Sequence, residues 1–162
     1  MLGANHLLVG LSCGLIADST GLLPLNMETL PPLLLGSLLP DIDHPKSLLG
    51  RRFFLISGMM NIAVGHRGAT HSVFALVAVV IGSLYLLSFD MALALSLGFT
   101  SHILADAMTK GGVPILWPKP LKMHILPTPF KTGSLAEYLV TGLLLGLSFA
   151  LNPSAMHFLE GQ

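Results

Sequence analysis

From residue 72 to residue 89 the chain carries no charged side chain. A helix needs about 20 predominantly apolar residues to cross roughly 30 Å of hydrocarbon, and this run is close to that length. Residues 2–25, 91–108 and 135–151 have the same character, while the apolar runs at 30–40 and 53–64 are shorter. Those two fit short or tilted spans, or re-entrant or interfacial helices. The predicted fold class is therefore all-α, a polytopic helical membrane bundle with about four transmembrane helices plus one or two short or re-entrant helices. It is predicted to form a single integral membrane domain over residues 1–162. Composition points the same way, because 52% of residues are hydrophobic and 10% charged, with a mean hydropathy of +0.77. Soluble domains carry about 25% charged residues.

The first apolar run opens without Lys or Arg in residues 1–5 and ends at Ala17-Asp18-Ser19 with no small-x-small cleavage pattern. It is predicted to be a retained helix rather than a cleaved signal. The stretch "PDIDHPKSLLGRR" at 40–52 is polar and bounded by proline, and residues 110–132 hold Gly111, Gly112 and five prolines, so both are predicted loops.

Charge placement orients the bundle. Formal net charge is zero, which gives no reason to expect a nucleic-acid partner. All Lys and Arg fall in two stretches, Lys46, Arg51, Arg52 and Arg67, then Lys110, Lys119, Lys122 and Lys131. A helical hairpin formed by 72–89 and 91–108, turning near Asp90, separates them, so both emerge on one side. The positive-inside rule makes that side cytoplasmic.

With topology set by lysine and arginine alone, the remaining polar residues fall at one level. His6 opens the first helix, Asp41, Asp43 and His44 follow the second segment, His66 and His71 precede the third, and His102 and Asp106 end the fourth. Every one maps to the cytoplasmic end of its element. In "HILAD", His102 and Asp106 are spaced i, i+4 and share a helix face, as suits two ligands of one metal centre or a local hydrogen bond. In "HRGATH", Gly68 between His66 and His71 is free to adopt φ > 0 and curl the loop so that both imidazoles converge. In "PDIDHP", Pro40 and Pro45 clamp Asp41 and Asp43 and reduce the entropy lost in holding charges there. Gly3, Gly10, Gly14 and Ala17 near His6, and Gly98 and Ala105 near His102 and Asp106, would let neighbouring helices approach closely. Ionisable groups turned into a bundle are expensive unless they have partners.

Cys13 stands alone, so neither an intramolecular disulfide nor a thiolate-rich metal site is available. Imidazole and carboxylate without thiolate fit a divalent metal such as zinc, manganese or iron, and a surplus over four ligands fits two or more ions. Arg67, between two candidate ligands, is placed either to clamp a substrate phosphate or to set topology at the headgroups. The other basic residues are assigned to topology and Trp117 to an interfacial anchor, while His124 and His157 have no partner in sequence. No G-x-S-x-G elbow is present, which argues against a serine hydrolase.

The motifs "NHLLVG", "LLPDIDHPKS", "GHRGATHS" and "SHILADAMTKGGVPILWP", in this order, resemble the YdjM-like family of bacterial inner-membrane, metal-dependent hydrolases. The match extends from His6 to about Pro118. Its motif logic is similar to that of zinc-dependent phospholipase C and related nucleases, although the chain after Pro118 shows no counterpart to their further His and Glu ligands. The resemblance implies a metal site built from His6, one or both of Asp41 and Asp43, His66, His71, His102 and Asp106, with Asp41 alternatively the general base. The expected function is a membrane-bound metal-dependent hydrolase of a phosphate ester, with a membrane phospholipid among the candidate substrates. Two alternatives use the same residues: a metal-ion transporter, and a membrane protein with a structural metal.

Overall fold

A computed structural model describes residues 1–64, 68–119 and 121–152. Its helices are α1 (Gly3–Ser19), α2 (Leu30–Leu38), α3 (Leu48–Arg52), α4 (Phe54–Val64), α5 (Val73–Leu86), α6 (Phe89–Ala107) and α7 (Leu135–Leu151). Two 3-10 turns, Leu39–Asp43 and Ala69–His71, carry three of the predicted site residues. Among the described residues there is no strand, only isolated bridges pairing Thr109 with Phe130 and Val113 with Met123. The all-α expectation therefore holds.

Helix ends follow local chemistry. The predicted run 2–25 breaks early, because Gly21 turns the chain at φ 71° and the nitrogens of Leu22 and Leu23 return to the Ala17 carbonyl at 2.9 and 3.3 Å. Prolines occupy the first turn of α2, where a missing N–H costs no helical bond. Ser72 caps α5 by accepting from Ala75 N at 3.3 Å, and Ser88 caps α6 by accepting from Met91 N at 3.5 Å. The stretch 40–52, predicted as a loop, is largely helical: Pro40 fits the start of the first 3-10 turn, and Ser47 caps α3 by accepting from Gly50 N at 2.8 Å. Residues 110–132 do form an irregular segment, tied down where Val73 N donates to Ile115 O at 2.9 Å.

None of the described helices is long and apolar enough to cross a membrane. The longest, α6 with 19 residues, reaches about 28 Å at 1.5 Å per residue, and it is interrupted by Asp90, His102 and Asp106. Helices thus stand in the places of the expected spans, with α1 and α5 shorter than the runs 2–25 and 72–89 and α7 with the expected bounds.

Helix α6 is the centre, packed on α1, α2 and α5, and α7 lies on α1. The approach of α2 to α6 is set by glycine. A Cβ on Gly98 would stand 2.0 Å from the Leu33 carbonyl oxygen, and one on Gly36 2.1 Å from that of Leu95. Phe99, Ile103, Ala107 and Val113 form one apolar cluster, and Ala17, Leu23, Leu33 and Ala94 another.

Polarity is distributed inside out. Ser12, Ser37, Ser101 and Thr141 are buried, whereas Phe54, Leu55 and Ile62 of α4, Phe74, Ile81 and Tyr85 of α5, and Leu139, Leu143 and Leu147 of α7 are exposed. Apolar faces this extensive are not left open to water by soluble monomers.

Candidate metal centre

The close seam between α2 and α6 places His102. As α2 gives way to the 3-10 turn, the Ser37 carbonyl lies three residues before Pro40, which has no N–H to offer it. That carbonyl instead meets His102 Nδ1 at 2.7 Å. A carbonyl only accepts, so Nδ1 carries the proton and the Nε2 lone pair faces inward.

His71, at the end of the second 3-10 turn, is held in the same way from another side. Thr70 Oγ1 donates to Asp43 Oδ2 and lies 3.0 Å from His71 Nδ1. The hydroxyl proton is engaged by the carboxylate, so the oxygen accepts from His71 Nδ1 and Nε2 is again left with its lone pair inward. Burial works against a charged His71 ring, but the Asp106 and Asp43 carboxylates outweigh it and raise its pKa, so the inward Nε2 favours positive charge, which a cation there would supply in place of a proton.

The two Nε2 atoms are 3.3 Å apart. Asp106 Oδ2 is 3.5 Å from His71 Nε2 and 3.9 Å from His102 Nε2, and Asp41 Oδ1 is 3.9 and 3.8 Å from the same nitrogens. Zinc bonds of about 2.0–2.1 Å in a tetrahedron place ligand atoms about 3.3–3.4 Å apart, so these separations suit donors awaiting a small cation. His71, His102 and Asp106 side chains are fully buried, while that of Asp41 is 13% exposed and forms the accessible corner.

His6 completes the cluster. Its ring stacks on that of His102, with centroids 3.6 Å apart and planes 7° from parallel, and its Nε2 lies 3.4 Å from Asp106 Oδ1. Neither ring nitrogen of this fully buried residue has a hydrogen-bond partner among the described residues. A buried polar group left so is rare in native structures and calls for a ligand. The donor chemistry and this orphaned imidazole therefore fit a divalent cation.

Of the predicted site residues, His6, Asp41, His71, His102 and Asp106 converge. Asp43 also arrives, but on the outer side of His71, its Oδ2 3.7 Å from Nδ1. His66 and Arg67 lie outside the described residues. Gly68 turns at φ −88°, on the negative side, so the positive φ expected of it is not what brings His71 inward. The 3-10 turn and Thr70 do that.

Sequence reasoning missed three contributors. The Ser37 carbonyl is invisible in a sequence except through Pro40. Thr70 is announced only by adjacency to His71. Glu137, the lone carboxylate in the apolar run 135–151, was a signal: fully buried, it accepts from Leu2 N at 2.8 Å, Asn5 Nδ2 at 2.5 Å and Gly133 N at 2.8 Å. These bonds tie α7 to the start of α1, where the Met1 nitrogen donates to Asp106.

The Thr70 relay has a measurable consequence. Thr70→Val removes the hydroxyl that orients His71 and is expected to weaken metal binding by about 10–100-fold in a chelator competition, with Thr70→Ser close to wild type. Equal affinity in Thr70→Val and wild type would remove the relay from the site.

The family described as YdjM inner membrane protein matches residues 1–158. The chain is 36% identical over 158 residues to inner membrane protein YdjM of Escherichia coli (strain K12), covering 90% of this chain and 80% of that protein. The same figures apply to inner membrane protein YdjM of Shigella flexneri. It is also 36% identical over 152 residues to the uncharacterized protein YvsG of Bacillus subtilis (strain 168), covering 93% of this chain and 91% of that one. No solved structure matches the chain significantly.

Proposed function

Because the chain belongs to the YdjM inner membrane protein family, we propose that it works in the bacterial inner membrane as a metal-dependent hydrolase of phosphate esters. The observation that carries this reading is the convergence of His71 Nε2, His102 Nε2 and Asp106 Oδ2, both rings held from behind at Nδ1. Imidazoles oriented by a carbonyl or a carboxylate relay behind the ring are the usual supports of a bound metal.

A divalent cation held there, zinc first among those that suit imidazole and carboxylate, would lower the pKa of a water towards about 7 and polarise a phosphoryl oxygen. The chain's own groups divide the rest of the work. His71, His102 and Asp106, fully buried, hold position and keep bulk water out. Asp41 lines the accessible corner, where its carboxylate takes the proton of the attacking water. Three buried ligands with a partly exposed carboxylate, Asp41, at the fourth side suit catalytic rather than structural zinc.

The setting supports a membrane substrate. The exposed apolar faces of α4, α5 and α7 meet lipid, and the bilayer thins locally around a bundle of short helices. Lys46, Arg51, Arg52 and Lys110 follow Asp41, Asp43 and Asp106 closely in the sequence, which by the positive-inside rule supports a site facing the cytoplasm. A phospholipid presents its phosphate at that depth. The purified protein in detergent is expected to hydrolyse bis(p-nitrophenyl) phosphate or phospholipid, to stop on chelation, and to resume with zinc or manganese. No turnover of either substrate by the metal-loaded protein, or metal flux in proteoliposomes without turnover, would overturn the hydrolase in favour of a binding or transport protein.

A further inference from the structure

We infer that the centre takes two cations, bridged by the Asp106 carboxylate, with His6 a ligand of the second. This rests on the metal reading above. The described ligand atoms fall into two triples, His71 with His102 and Asp106, and His6 with Asp41 and His102, rather than into one set that includes both His6 and His71. His102 belongs to both triples but serves only one ion, because its Nδ1 is committed to the Ser37 carbonyl and Nε2 has a single lone pair.

The second position therefore draws on His6 and the other oxygen of Asp106, with Asp41 near His6 on the accessible side. Asp106 is oriented for this: Oδ2 faces His71 and His102 at 3.5 and 3.9 Å, while Oδ1 faces His6 Nε2 at 3.4 Å. His6 is fully buried with both ring nitrogens lacking hydrogen-bond partners among the described residues, and a second ion would engage the Nε2 lone pair, which the first does not. Its stacking on His102 sets Nε2 beside the first triple rather than within it.

The test is stoichiometry. After equilibration with zinc and gel filtration, elemental analysis is expected to find two equivalents per wild-type chain and one in His6→Ala and His6→Gln. One equivalent in wild type, or two in both His6 variants, overturns the second site while leaving the first intact. No metal in the wild-type protein overturns the metal reading itself. Should the His6 variants fail to fold, the wild-type protein titrated with Mn(II) decides the matter by electron paramagnetic resonance. An exchange-coupled spectrum is expected at two equivalents, and an isolated six-line signal at every ratio overturns the proposal.

Discussion

Asp106→Ala is expected to abolish metal binding. One oxygen of this carboxylate stands 3.5 Å from His71 Nε2 and the other 3.4 Å from His6 Nε2, so the substitution removes a charged group that faces both halves of the cluster. Without it the three fully buried imidazoles keep no buried carboxylate on their inner side among the described residues, only Asp41 at the partly exposed corner. Metal content after gel filtration should fall from saturation to background, with Asp106→Asn as a variant of the same shape. His102→Ala is expected to behave alike, because its Nε2 is 3.3 Å from His71 Nε2, inside the cluster. Full metal in both Asp106→Ala and His102→Ala would discard the ligand set.

Asp41→Asn is expected to separate holding from chemistry. His71, His102 and Asp106 remain, so metal stays at their position, but the amide no longer takes a proton at the accessible corner. General bases contribute about 10²–10⁴ in rate, and turnover of a phosphodiester should drop by that factor. The informative readout is the contrast: metal retained, kcat lost. If the variant turned over at the wild-type rate, Asp41 would have no part in moving the proton. If it lost all metal, Asp41 would be a ligand first.

Most of the helices were legible because hydrophobic runs are local. The run at 135–151 gives α7 with those bounds, and 72–89 and 91–108 give α5 and α6 to within a few residues. The run at 2–25 was overread because a left-handed Gly21 and the Ala17 carbonyl close α1 early. The helical character of 40–52 was hidden by proline, which reads as a breaker yet sits comfortably at the first position of a turn. Small residues near His6 and His102 correctly foretold close helix approach, as Gly10 beside Ser37 and Gly98 beside Leu33 show. Gly36, the partner in the same seam, was passed over.

The i, i+4 spacing of His102 and Asp106, the turn acids at 41 and 43, and the place of each at the same end of its helix follow from periodicity and charge, which need no tertiary information. That is why His6, Asp41, His71, His102 and Asp106 could be named in advance. What only the folded chain decided is the division of labour among them. Asp43 faces the back of His71 through Thr70, Asp106 turns its two oxygens to different imidazoles, and the Ser37 carbonyl assigns the tautomer of His102. These depend on distances of a few ångströms between residues up to a hundred positions apart. Such distances are set by backbone approach between helices, which no pattern along the chain encodes.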